Sequence, residues 1–169
     1  MGGGWPGRAC ADRPAKAGSS ASVHVMAVRT ASAHWQGTLT DGSGTVRTGK
    51  GGLTGNYSYK SRFEEGEGTN PEELVGAAHA GCFSMALAKL LADAGHPAQS
   101  IDTTAEVNLE RVDGQMTITR ITLRTTANVP GMDAEEFAKQ AETAKATCPI
   151  SRLVAATEVV LDARLAAAA

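Results

Sequence analysis

The chain has 169 residues and three cysteines, Cys10, Cys82 and Cys148, so at least one thiol has no partner within it. At this length a single domain buries roughly two-thirds of its unfolded surface, which excludes a mini-protein held together by cystines. Sixteen Lys and Arg against eighteen Asp and Glu give a formal charge of −2 with no basic cluster, and aromatic residues make up 4%; neither a charged footprint nor a stacking platform for nucleic acid is present.

Residues 1–25 are rich in Gly, Ala, Ser and Pro and hold Arg8, Arg13 and Lys16 against Asp12. They show no periodic pattern and lack the apolar run of a secretory signal, so they are expected to be a disordered extension before a single domain spanning 26–169. Setting them aside leaves −4 on the remainder and removes Cys10 as a bystander.

From Met26 to Phe63, the runs VRTASAHWQG, GTVRTG and LTGNYSYKSRF are separated by DGSG and GKGG. This is the pattern of an antiparallel meander. Ser61 to Gly68, with Arg62 among acidic and glycine residues, reads as a solvated loop.

A helix then opens at Asn70, with Pro71 at its first position and Glu73 at capping-box spacing, and runs to about Ala94 before Gly95. Leu74, Ala78, Gly81, Met85, Ala88 and Ala92 form one stripe, and Val75, His79, Cys82, Ala86 and Leu90 the next, so the helix is apolar or small nearly all round and is expected to be buried. Gly76 to Gly81 would admit another backbone, for which a second helix is the natural candidate. The apolar stretch from Leu74 to Ala88 contains His79 and falls short of the roughly 20 residues of a membrane span. No membrane association is expected.

Residues 101–112 and 115–129 are β-rich runs joined by Asp113-Gly114, a hairpin signal. In the second run the apolar phase slips between Ile118 and Ile121, which predicts a bulge. Asp133 and Glu136 open a helix to about Ala146; Cys148-Pro149 starts a short one to about Ala155, and TEVVLDARL forms a last strand. The fold class is α+β, a mostly antiparallel sheet packed on a long buried central helix.

Two cysteines remain to carry chemistry. Cys82, in mid-helix, is equally a small buried core residue. Cys148 precedes Pro149 at a helix start, where backbone N–H groups favour a thiolate, or it is simply a capping residue. His79, one turn before Cys82, reads as a packed histidine, as the base of a cysteine hydrolase, or, with Cys82 and Cys148, as part of an incomplete metal set.

The blocks Thr69-Asn70-Pro71-Glu72-Glu73-Leu74, Ala77-Ala78-His79-Ala80-Gly81-Cys82-Phe83-Ser84-Met85-Ala86-Leu87 and Cys148-Pro149-Ile150-Ser151 resemble the signature of the OsmC subfamily of the OsmC/Ohr hydroperoxide-reducing proteins. Ala33-His34-Trp35 and Ser100–Thr104 extend the likeness over about residues 26–165. The resemblance implies an OsmC-like fold in an intertwined homodimer, and a cytoplasmic, thiol-dependent peroxidase of oxidative and osmotic stress defence. Cys82 would be the peroxidatic cysteine, Cys148 the resolving cysteine, Arg62 the guanidinium at the thiolate and peroxide, and Glu72 the carboxylate holding Arg62. It calls for no cofactor and no metal; the partners are an organic hydroperoxide and a dithiol reductant such as a lipoylated protein.

Chemistry fits those roles. A buried thiol loses acidity, so a fixed cation is needed to keep it ionised, and a buried arginine needs a carboxylate. A sulfenic acid at Cys82 would be protected from further oxidation by condensing with Cys148. Apolar Phe83 and Met85 would favour alkyl or lipid hydroperoxides. Glu72 and Cys82 lie ten residues apart, roughly 15 Å of helix rise. Arg62 can therefore serve both only if its loop folds back along the helix or an antiparallel partner helix brings a second Glu72 to Cys82. The competing reading is a non-enzymatic α+β dimer whose cysteines are structural or bind a ligand or metal.

Overall fold

A computed structural model describes residues 27–165. The expectation for residues 1–25, Cys10 included, lies outside them. Strands β1 (Ala31–Gln36), β2 (Ser43–Thr48) and β3 (Thr54–Ser58) form one antiparallel meander. A second sheet has the order β4 (Ser100–Val112), β5 (Gln115–Asn128) and β6 (Glu158–Leu165). The mostly antiparallel sheet expected from the sequence is divided into two sheets, and the exception to antiparallel pairing is β6, which runs parallel to β5. A parallel return needs a crossover, and helices α3 (Ala134–Thr147) and α4 (Pro149–Leu153) supply it.

Between the sheets in the sequence come α1 (Tyr59–Phe63) and α2 (Pro71–Asp93). Helix α1 corrects the reading of 53–63 as strand running into loop. Ser58 caps it reciprocally with Ser61, each side chain bonded to the other's backbone N–H. Two serines three apart form a capping box without the usual glutamate, so the signal is weak in sequence. Helix α2 begins as expected: Asn70 accepts from Glu73 N–H, while the Glu73 carboxylate turns back to the Thr69 hydroxyl.

The β4–β5 hairpin closes on Asp113 and Gly114, whose φ angles of 49° and 81° are those of a type I′ turn. The predicted bulge is there too. Asn108 pairs with Arg120 and Leu109 with Ile118, so Thr119 is the extra residue.

The core is built from α2, β4–β6, α3 and α4. Phe83, Leu87 and Leu91 face Leu123 and Ala127 of β5, and Phe137, Ala141, Ala144 and Cys148 approach from the other side at helical spacing. Inside it, the Ser84 hydroxyl donates to Thr103 and Thr103 bonds Thr125, which satisfies a buried β5 hydroxyl. Among the described residues, none of β1–β3 belongs to this core.

Two expectations about α2 need correction. It is not buried all round: Gly76, His79, Phe83, Leu87 and Leu91 are buried, whereas Ala77, Ala78, Gly81, Met85, Ala88 and Ala92 are exposed, Met85 at 77%. The element at Gly76 is a strand, since an added Cβ would meet Ala105 O of β4 at 3.3 Å; at Gly81 it would meet nothing. By length and composition α2 is also apolar enough to cross a bilayer, because it continues beyond Ala88 to Asp93.

Candidate active site

Cys82 projects from the middle of α2, and Cys148 sits where α3 ends and α4 begins. Pro149 cannot donate a backbone hydrogen bond, so the chain breaks there and starts α4 with Cys148 as its N-cap. The two sulfurs lie 3.1 Å apart across the α2–α4 contact, both as free thiols. A disulfide bond of about 2.05 Å requires a closing movement of only about 1 Å.

Their surroundings differ. Cys148 is fully buried and Cys82 partly exposed. Burial, then the hydrogen bond with Cys148, pushes the Cys82 thiol above its ordinary range. Burial also opposes ionisation of Cys148, but the Ser151 N–H, the Cys82 thiol, the Ser151 hydroxyl and the Ile150 N–H together outweigh it and leave that thiol lowered. No cation contributes to the acidity of Cys82.

The expected cation lies elsewhere in the chain. Arg62, on α1 rather than a loop, makes a two-pronged pair with Glu72: Nη2 to Oε1 at 2.7 Å and Nε to Oε2 at 3.2 Å. Its guanidinium also stands 5.0 Å over the Phe63 ring. Glu72 is in the first turn of α2, ten residues before Cys82 on the same unbroken helix. The loop does not fold back, so the structure brings Cys82 to Cys148 and Arg62 to Glu72 but leaves the two pairs about 15 Å of helix apart within one chain.

A groove beside Arg62 is lined by Trp35, Leu39, Tyr57, Tyr59, Phe63 and Pro71, its aromatics from the meander and α1 in tilted pairs. Phe83, expected as an apolar wall for substrate, is instead wholly in the core. The groove has no signature in the sequence, because its aromatics come from three separate elements, β1, β3 and α1. His79 is fully buried, and its Nε2 lies 2.9 Å from the Ser151 hydroxyl. It therefore faces Ser151, which suits neither a base for Cys82 nor a metal ligand, and no three potential ligands converge among the described residues. The sequence assigns Ser151 no role of its own, and the fold brings its hydroxyl to His79, 72 residues away.

Two thiols of unequal environment thus lie 3.1 Å apart on an α+β scaffold, one on a central helix and one at a helix start. A family profile described as "OsmC-like protein" matches residues 64–163. "Peroxiredoxin OsmC" of Escherichia coli (strain K12) is 50% identical over 134 residues, covering 79% of this chain and 93% of that protein, and its Shigella flexneri namesake matches equally. The chain belongs to the OsmC family. In solved structures the fold is shared with an organic hydroperoxide resistance protein OsmC from Legionella pneumophila (TM-score 0.65, 23% identity, 85% of this chain and 99% of that one). It is shared also with OhrB of Bacillus subtilis (TM-score 0.60, 22% identity, 81% and 98%).

Proposed function

We propose that this protein is a thiol-dependent peroxidase that reduces organic hydroperoxides to alcohols, with residues 26–169 as its catalytic domain. The observation that carries this reading is the 3.1 Å approach of Cys82 and Cys148. The 50% identity to proteins named peroxiredoxin supports it.

The Cys82 thiolate attacks one peroxide oxygen. A sulfur–oxygen bond forms, the oxygen–oxygen bond breaks, and the departing alkoxide takes a proton to become the alcohol. Cys82 is then a sulfenic acid. Cys148 attacks that sulfur, expelling hydroxide that leaves as water, and the resulting disulfide is reopened by a dithiol donor such as a lipoylated protein. A pair cycled in this way belongs in a reducing compartment, the cytoplasm, where it serves stress defence as a soluble enzyme.

The site is completed by a second copy of the chain in a homodimer. Two observations support this: no cation among the described residues contributes to the acidity of Cys82, and α2 leaves a face of Ala77, Ala78, Gly81, Met85 and Ala88 open. In an antiparallel α2 pair, Glu72 of one chain stands level with Cys82 of the other when the helices cross near Ala77, midway between them. Small residues at that crossing let the helices approach. Arg62, held by Glu72, then reaches the other chain's thiolate, and the aromatic groove beside it receives the organic part of the hydroperoxide.

Rapid mixing of the reduced protein with cumene hydroperoxide tests the assignment. Wild type is expected to consume peroxide and lose two hydrogens by intact mass. Peroxide consumption by Cys82→Ser at the wild-type rate would refute it.

A further inference from the structure

His79 is the most completely buried titratable group that the redox chemistry above leaves unused. It is 0% exposed, its Nδ1 is buried without a partner among the described residues, and its Nε2 bonds the Ser151 hydroxyl at 2.9 Å. Ser151, 8% exposed, stands three residues after Cys148 in the first turn of α4, and its N–H and hydroxyl are among the groups that favour the ionised Cys148 thiol. His79, Ser151 and Cys148 thus follow one another from α2 to the thiol across the α2–α4 contact.

The partnerless nitrogen fixes the direction of the His79–Ser151 hydrogen bond. Burial keeps the His79 ring neutral, so it carries one N–H. On Nδ1, that hydrogen would be a stranded buried donor; on Nε2, it is given to Ser151 Oγ, leaving Nδ1 only an unfilled acceptor. With its oxygen occupied by His79, the Ser151 hydroxyl keeps its own hydrogen free to turn toward the Cys148 thiol three residues earlier.

We propose that His79 and Ser151 are positioning residues for the resolving thiol: His79 orients the Ser151 hydroxyl, which holds the Cys148 sulfur as an attacking anion aimed at Cys82. This rests on the peroxidase reading, but concerns only its second step. There the Cys148 anion bonds to the Cys82 sulfur, the Cys82 sulfur–oxygen bond breaks, and the departing hydroxide takes from solvent the proton that Cys148 gave up on ionising and leaves as water. His79 stays neutral throughout and gains or loses no proton.

The test separates the two steps, using the full-length chain with Cys10→Ser in every variant. Dithiobisnitrobenzoate reacts first at the partly exposed Cys82, releasing one thionitrobenzoate; Cys148 then displaces the second as the disulfide closes, and Cys148→Ser shows the first phase alone. The expected result is a first release unchanged and a second slowed about tenfold or more in Ser151→Ala and His79→Leu, as for loss of a hydrogen bond to a charged sulfur. His79→Gln, which keeps an N–H near the Nε2 position, is expected to recover much of the rate. Under repeated hydroperoxide additions the slow variants should accumulate sulfinic acid at Cys82, seen by intact mass. Closure at the wild-type rate in a folded Ser151→Ala overturns the proposal, whether or not His79→Leu folds. If wild type leaves the hydroperoxide intact while the second release still depends on Ser151 and His79, the peroxidase reading fails and the positioning role stands.

Discussion

Cys82 and Cys148 face each other at 3.1 Å with their acidities shifted in opposite directions, the Cys82 thiol raised and the Cys148 thiol lowered. Under the proposed mechanism the described residues of one chain thus favour the resolving thiolate over the attacking one. The proposed cation at Cys82 is the Arg62 of a second copy.

Cys148→Ser is expected to separate attack from resolution. The variant should consume about one equivalent of cumene hydroperoxide per chain and then stop, because its sulfenic acid has no intramolecular thiol to close on. Stopped-flow titration with a sulfenic acid trap checks this, and sustained turnover with a dithiol reductant would contradict it.

Arg62→Ala is expected to slow peroxide reduction about 10²- to 10³-fold, the scale for removing a fixed donor at developing charge. Arg62→Lys should restore little, since an ammonium cannot reproduce the two-pronged bond to Glu72. Stability should change by no more than about 1 kcal/mol, because the Arg62 side chain is 33% exposed. Single-turnover kinetics and denaturant titration measure the two effects separately.

Mixing two inactive chains tests the shared site. In a heterodimer of Cys82→Ser with Arg62→Ala, one of the two sites keeps both its cysteine and its arginine, so activity should return after co-refolding. If Arg62 acts within its own chain, none returns. Met85→Lys, placing a charge on the exposed α2 face, should shift the solution mass at micromolar concentration from two chains to one and abolish activity with it.

His79 gives stability a defined pH dependence. Burial lowers its pKa, so the folded chain binds fewer protons than the unfolded chain in the interval below about pH 6.5. Its contribution is complete above that pH and declines as pH falls below it. Denaturant titrations of wild type and His79→Gln should converge on acidification; parallel curves would show that another group titrates.

The elements legible in the sequence were those whose signals are local. Asp113-Gly114, the capped start of α2, the Thr119 bulge and the Cys148-Pro149 break all appear where turn chemistry and periodicity put them. Less legible were relations set by tertiary contact. Nothing near Glu158 says that β6 joins β5 in parallel, and the two-serine box of α1 leaves no acidic signature. At the site, the family resemblance implied roles for Cys82, Cys148, Arg62 and Glu72, while the ten-residue spacing left two ways of uniting them, a loop folded back along the helix or a second chain, and only the fold shows that the loop does not fold back. The His79–Ser151 contact joins residues 72 positions apart and has no sequence signal of its own.

Helix α2 acts as a ruler as well as a scaffold. It fixes both the distance and the angular phase between Glu72 and Cys82, because every residue between them adds about 1.5 Å and 100°. Adding or removing one residue would swing Cys82 away from Cys148 and, in the proposed dimer, slide it off the level of the second chain's Arg62. A change at the β4–β5 tip, where Val112 to Gln115 are exposed, would disturb neither. Length in this protein is thus constrained most tightly where the side chains are smallest and least distinctive.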